Sequence, residues 1–349
     1  MKNILLTVIT ILTVSIAFSE GLEDYRPEIH AEIALQYEYY RGEDAPDYYY
    51  TVPDNVLDVR NATIKIVGHI TDIFHYNAEM GVSKCPFGLG SGMKLLEAGV
   101  LFKPVKFFKA GIQKGHILRG FELRECCLDV LTAEKPKFAT AVSVCHPTGI
   151  IINFDHSFTE NTGLETEFAY MNDPTGTLKD GRHDINIGTI FRTPLPGLSA
   201  SFFYTRIKTD FESDETLEKG WRSGFGVDYD NYNILARSEY YLIKGFTSDF
   251  EGASSSDLEM RAFYIQGGYR IRFMGDDGFY VLPYGMYQWW DKGCNVPGDH
   301  RATYLVIGAN IGLSSHVAFV RIDYDRQLSH PVNTAEEADR LIIRLQTGI

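Results

Sequence analysis

Fixed charges at every second position are what could do chemistry in this chain. Lys65, Lys109, Arg222, Arg237, Arg270, Arg272, Arg321 and Arg344 stand at the polar positions of segments that alternate polar and apolar residues. Glu32, Glu38, Glu79, Glu97, Asp155, Glu165, Glu167, Asp228, Glu239, Asp323 and Asp325 do the same. If the polar faces of such segments share one enclosed space, their charges act on any ion that enters it. A ring of one sign then selects ions of the other. Taken singly, each residue can instead pair with a cross-strand neighbour and merely solvate a wall. Lys114, Arg119 and Arg124 carry the basic set into a long stretch between two such segments.

Other chemistries find little support. There is no nucleophile elbow, HExxH pattern or glycine-rich phosphate loop. His156 and Ser157 are sequential, so at period 2 they point to opposite faces and cannot pair as base and nucleophile. The five cysteines, Cys85, Cys126, Cys127, Cys145 and Cys294, show no CxxC spacing, which argues against a metal site or a redox motif. An odd count leaves at least one thiol unpaired within a monomer. The formal charge of −13 argues against nucleic acid as a partner. No enzymatic activity, metal or cofactor is expected.

The elements that would position these charges are β-strands. In "EIALQYEY", Ile33, Leu35, Tyr37 and Tyr39 fall on one face and Glu32, Gln36 and Glu38 on the other. "IFHYNAEMGV", "LETEFAY" and "VAFVRIDYD" alternate in the same way. Such segments number about sixteen. They fall at 29–40, 60–70, 73–82, 94–102, 106–115, 148–159, 163–171, 182–193, 198–207, 221–230, 233–244, 258–273, 277–290, 301–312, 316–327 and 339–348. Short and long connections alternate between them, the longest being 116–147. That rhythm predicts an all-β fold, a transmembrane antiparallel up-and-down β-barrel with turns on one side and loops on the other. A soluble all-β protein is the competing reading, but it would not segregate loop lengths so regularly.

Aromatics mark both ends of the strands. Tyr39, Tyr40, Tyr170, Tyr204, Tyr240, Tyr241, Trp289, Trp290 and Tyr324 lie towards the long loops. Phe102, Phe108, Phe191, Tyr229, Tyr232, Phe273 and Phe279 lie towards the turns. Two girdles are expected where a lipid-facing surface meets headgroups. The first residues, "MKNILLTVITILTVSIAFSE", read as a signal peptide over 1–19, too short for the ~20 residues of a membrane anchor. Residues 20–349 then form the barrel. The last, "RLIIRLQTGI", puts Leu341, Ile343, Leu345 and Ile349 on one face, as expected of a strand that pairs with the first and closes the barrel.

Two stretches carry a family likeness. "FKAGIQKGHILRGFEL" (108–123) and "GIIINFDHSFTENTGLETEFAYMNDPTG" (149–176) resemble the strands on either side of the third loop in the phosphate-selective porin (porin O and P) family. Gly111 and Lys114 match its G-x-x-K-x-P-F stretch, while His116 and Ile117 stand where Pro and Phe are usual. The resemblance implies a sixteen-stranded bacterial outer-membrane barrel, usually a homotrimer in lipid, whose third loop folds inward and narrows the pore. Here that loop is 116–147, and "TAVSVC" (140–145) is assigned to it. Phe121, Leu123 and Leu128 are expected against the wall, with the loop's charges facing water. Family members often end in Phe; this chain ends in Ile349. The loop's bases Arg119, Arg124, Lys135 and Lys137 are offset by Glu122, Glu125, Asp129 and Glu134, so no anion ladder is seen and phosphate is not carried over. The expectation is passive diffusion of small hydrophilic solutes or ions, with a weak lean to cations. The pore lining is expected from Lys65, Glu79, Glu97, Lys109, Lys114, Arg119, Arg124, Arg237, Arg270, Arg272, Arg321 and Arg344. A blocked barrel serving as a surface or adhesive protein, or a secreted soluble all-β binding protein, are the alternatives.

Overall fold

The computed structural model describes residues 27–41, 55–83, 93–124, 131–139, 147–172, 183–207, 220–245, 258–273, 278–295, 298–313, 318–329 and 339–348. Residues 1–19, Leu128, "TAVSVC" and every cysteine but Cys294 lie outside them. Among the described residues there are sixteen strands in the barrel wall. They are β1 Glu28–Arg41, β2 Asn55–Thr71, β3 Phe74–Ser83, β4 Lys94–Val105, β5 Phe108–Lys114 and β6 Thr148–Ser157. There follow β7 Gly163–Asn172, β8 His183–Arg192, β9 Leu198–Ile207, β10 Gly220–Asp230 and β11 Ile234–Lys244. Next comes β12, Glu259–Tyr269 continued by Ile271–Arg272 beyond a break at Arg270. The last are β13 Phe279–Asp291, β14 Arg301–Leu313, β15 Ala318–Ser329 and β16 Asp339–Gly348. Each expected segment is a strand. The largest boundary shift is in β2, which starts at Asn55 rather than 60.

Every strand pairs antiparallel with its sequence neighbours, and β16 pairs with β1. Leu35 lies opposite Leu345 on one side and Val59 on the other. The sheet is therefore closed and has no edge. In hydrocarbon an edge would leave each unpaired backbone group at a cost of several kcal/mol.

The period-2 pattern decides which face goes out. Ile33, Leu35, Phe168, Phe225, Ile265, Ile307 and Leu345 are exposed on the outer surface. Their row neighbours Gln36, Glu167, Gln266 and Arg344 are buried inside. Such a continuous apolar exterior is far beyond what a water-soluble surface carries, and it suits lipid. The girdle expectation holds for Tyr39, Tyr170, Tyr204 and Tyr324 at one end, and for Phe102, Phe191, Tyr232, Phe273 and Phe279 at the other, all exposed. It fails for Tyr40, Tyr241 and Trp290. Each is the second of two consecutive aromatics, and alternation must send one member of such a pair inward. Tyr40 donates to Glu38 inside the barrel (2.6 Å), Tyr241 is buried beside Phe138 with ring centroids 5.2 Å apart, and Trp290 packs on the interior cluster.

Candidate functional site

The site is the barrel interior, and the described parts of 116–147 enter it. Two described pieces, 116–124 and 131–139, are held there by wall residues on strands far away in sequence. Glu167 on β7 accepts the Leu118 N–H (2.8 Å), and Asn186 on β8 donates to the Leu118 carbonyl (3.1 Å). The chain runs so close to β8 that Gly188 has no room for a Cβ against that carbonyl. Gly120 then takes φ of 84°, a left-handed turn that suits glycine. The turn aims the Phe121 and Glu122 N–H groups at the Glu239 carboxylate on β11, at 2.7 and 3.0 Å. Tyr241 (2.9 Å) and Tyr264 (2.5 Å) donate to the same carboxylate.

The second piece is fastened in the same manner to the opposite wall. Asn310 on β14 donates to the Leu131 carbonyl (3.0 Å) and Arg321 on β15 to that of Thr132 (2.6 Å). Asp323 accepts the Ala133 N–H (2.6 Å), and Gln288 on β13 accepts that of Lys137 (2.7 Å). Glu134 sits between Arg340 (2.9 Å) and Arg60 (3.2 Å). Burial disfavours its charge, but the Arg340, Arg60 and Lys137 cations outweigh burial and hold the carboxyl well below the usual range. Arg340 also meets Asp325 at 2.8 Å, and Lys137 meets it at 3.3 Å. Buried charges in such a network are tolerable because each is paired and hydrogen-bonded.

Part of the interior is apolar. Leu123, Phe138 and Ala139 of the insert pack against the inward faces of Phe203, Tyr241, Ile243, Met260, Ala262, Tyr264, Met286 and Val306. This seals that segment of the lumen against the wall from β9 to β14. On the other side of the insert a cavity of about 810 Å3 remains, open towards the turn-side mouth. Its lining includes Lys65, Lys109, Arg124, Arg192 and Arg237, and also Glu97, Glu165, Glu167, Asp228 and Asp230. Gln113, His116, Ile117, Leu118 and Phe121 form its border with the insert. These five cations and five carboxylates balance. Three more carboxylates stand at their backs, Glu79 on Lys65 (3.6 Å), Glu122 on Arg237 (2.9 Å) and Asp155 on Arg192 (2.6 Å), against one more cation, Arg270 on Asp230 (4.0 Å). The local field is therefore mildly negative.

The residues singled out from sequence distribute unevenly over this interior. Lys65, Glu97, Lys109, Arg124 and Arg237 meet at the cavity. Lys65 bonds Glu97 at 2.8 Å, and Arg124 grips Glu165 through both terminal nitrogens (2.7 and 3.1 Å). Arg270 and Arg272 sit at the turn-side rim, Arg272 lying 3.4 Å over the Tyr232 ring. Arg321 and Arg344 are buried in the wall, where Arg344 donates to Gln36 (2.8 Å). Arg119 and Glu122 are buried, not turned to water as expected of the insert's charges. On the wall, Arg237 and Gln266 donate to Glu122 (2.9 and 3.0 Å), and Arg119 reaches the Met171 sulfur (3.9 Å). Lys114 shares the parity of Ile112, which is 65% exposed, and lies opposite Ala98 at the loop-side end of β5. It therefore falls on the outer face, five residues and hence an odd step from inward Lys109. Sequence reading missed Asn186, Gln266, Gln288 and Asn310. They are neutral amides at inward positions, and the only signal was their parity.

No family model matches the chain, and no curated protein matches it in sequence. Solved structures do match. OmpF of Salmonella typhi, in complex with daunomycin, superposes with a TM-score of 0.63 at 12% identity, covering 93% of this chain and 98% of that one. The outer membrane channel DcaP of Acinetobacter baumannii gives 0.58 at 10% identity over 93% and 97%. A loop-deletion mutant of OmpT, an outer membrane protein of Vibrio cholerae, gives 0.59 at 13% identity over 93% and 99%. At such identities the likeness is one of fold. The fold defined by closure and strand number is thus that of these outer-membrane barrels.

Proposed function

We propose that this chain is a bacterial outer-membrane diffusion channel for small hydrophilic solutes and ions, narrowed by 116–147 and mildly cation-preferring. The observation that carries this reading is the charged cavity of about 810 Å3 beneath the insert, inside a closed barrel. A lipid-embedded barrel that kept such a volume of charged surface dry would incur a large desolvation cost. Water reaches it from the turn-side mouth, and the proposed route continues from the cavity past the insert along β2–β8, away from the apolar seal on β9–β14. The proposal includes a signal peptide at 1–19, assembly as a homotrimer in outer-membrane lipid and no enzymatic activity. The likeness to the porin O and P family is limited to layout and the two quoted stretches. Phosphate is not part of the proposal, because Arg124, Lys137, Arg237 and Arg340 at the insert are each matched by a carboxylate at 2.7–3.3 Å.

A second reading has one specific observation in its favour. The apolar seal of Leu123, Phe138 and Ala139 against β9–β14 would suit a closed barrel that serves as a surface protein. Planar-bilayer recording separates the two. A channel gives discrete current steps and a reversal potential of cationic sign in a salt gradient; a sealed barrel gives none.

A further inference from the structure

His69 near the end of β2 and His75 near the start of β3 are direct cross-strand partners. Both have the parity opposite to the exposed outer residues Ile70 and Phe74, so their rings meet on the inner side of the turn-side rim. The ring centroids are 4.3 Å apart with planes at 74°. The connection holding them is tight: Thr71 Oγ1 accepts the N–H groups of Ile73 (3.4 Å) and Phe74 (3.2 Å). The His75 ring also bonds the Asp72 backbone. An imidazole that gives one N–H to a carbonyl keeps its lone pair on the other nitrogen, the orientation that metal-binding histidines use.

The spacing fits two adjacent ligands of one metal ion. A metal about 2.0–2.1 Å from each nitrogen lies roughly 3.2 Å from each ring centre, so ligand rings have centres about 4.5 Å apart at a right-angle N–metal–N arrangement and about 5.2 Å at a tetrahedral one. The two rings, in edge contact at 4.3 Å, reach this by a side-chain rotation that parts them slightly. We propose that His69 and His75 form a two-imidazole site for a borderline divalent transition metal (Zn2+, Ni2+ or Cu2+) on the inner rim of the turn-side mouth. Among the described residues no group of three His, Cys, Asp or Glu could hold a metal, so water completes the coordination. Hard cations such as Mg2+ take oxygen ligands and are not retained. Lys103 on β4 acts electrostatically on His75, and its charge opposes a bound dication. The site is therefore one of modest affinity, filled and emptied with the metal level. A dication held there stands in the path of entering cations.

The test is calorimetric titration of the folded full-length barrel in detergent with Ni2+, with Mg2+ as control. One Ni2+ site per chain is expected that His69→Ala and His75→Ala each weaken by about tenfold or more, and that Lys103→Gln strengthens. Heat-modifiable migration verifies that each variant is folded, and His69→Gln and His75→Gln serve where an alanine variant does not fold. In bilayers, Ni2+ added at the turn side should reduce the current of the parent and leave that of His75→Gln unchanged. Binding that is absent, that Mg2+ reproduces, or that survives in both histidine variants overturns the proposal. Calorimetry needs no conduction, so a silent barrel that still binds Ni2+ would count against the channel and not against the site.

Discussion

Glu239 on β11 accepts the backbone N–H of Phe121 at 2.7 Å, although 118 positions of sequence separate them. The wall thus grips the insert's main chain as well as its side chains. Replacing Glu239 with Ala orphans two backbone donors and two tyrosine hydroxyls. Each orphaned buried group costs about 1–3 kcal/mol. The expected outcome is an intact barrel with a loosened insert: noisier, larger single-channel currents and new protease cleavage at Arg119 or Arg124. Glu239→Gln, which keeps an acceptor, should lie between parent and Ala. Unchanged currents and cleavage in Glu239→Ala would show that the insert is positioned elsewhere.

Parity on the closing strand gives a second prediction. Ile343 faces outward and Gln346 is buried inside beside Glu32, to which it donates. A lipid-facing Arg near the membrane midplane costs roughly 2–4 kcal/mol, so Ile343→Arg should reduce the yield of heat-modifiable folded barrel. Gln346→Arg, with Glu32 as its neighbour, should assemble normally. Equal yields would mean that the faces are assigned wrongly.

What the sequence made legible follows from that same alternation. Period 2 fixes which residues share a face and places the charges of Lys65, Glu97 and Arg237 on the inner one. It does not say which inner positions meet water. Met260, Ala262 and Tyr264 are apolar inward residues, and locally they read as a break in the pattern. Their explanation lies in Leu123 and Phe138, brought to the wall over more than a hundred residues. Glu122 turns inward for the same reason, because nothing near it in sequence announces Arg237. Lys114 was drawn inward by a family motif, whereas counting from Lys109 places it on the outer face.

Glu134 makes the fastening of the second piece pH-dependent. Its carboxyl is held well below the ordinary Glu value of 4.5 by Arg340, Arg60 and Lys137, against the effect of burial. A depressed pKa stabilises the folded state fully above the unfolded value, and that contribution is lost as pH falls towards the folded one. The parent should therefore be more heat-stable than Glu134→Gln at neutral pH, with the gap narrowing steadily below pH 4.5. A gap independent of pH would assign the effect to shape and not to charge.

The cavity charges predict selectivity changes of definite sign. Lys109 and Glu97 both line the cavity. Lys109→Glu should shift the reversal potential in a salt gradient further towards cation preference, and Glu97→Lys should shift it towards anions. Conductance through a route that avoids β2–β8 would leave both potentials where they were.

The most direct measurement is the single-channel conductance of the parent compared with a variant shortened by about 20 residues within 116–147, a length usual for functional loops. The barrel ladder does not run through the insert, so both proteins should fold. The account predicts discrete, ohmic steps from the parent and larger steps with a larger solute limit from the shortened form. A parent that never conducts, beside a shortened form that does, would show the insert to be a plug; equal steps from both would show that the insert does not set the narrowest section.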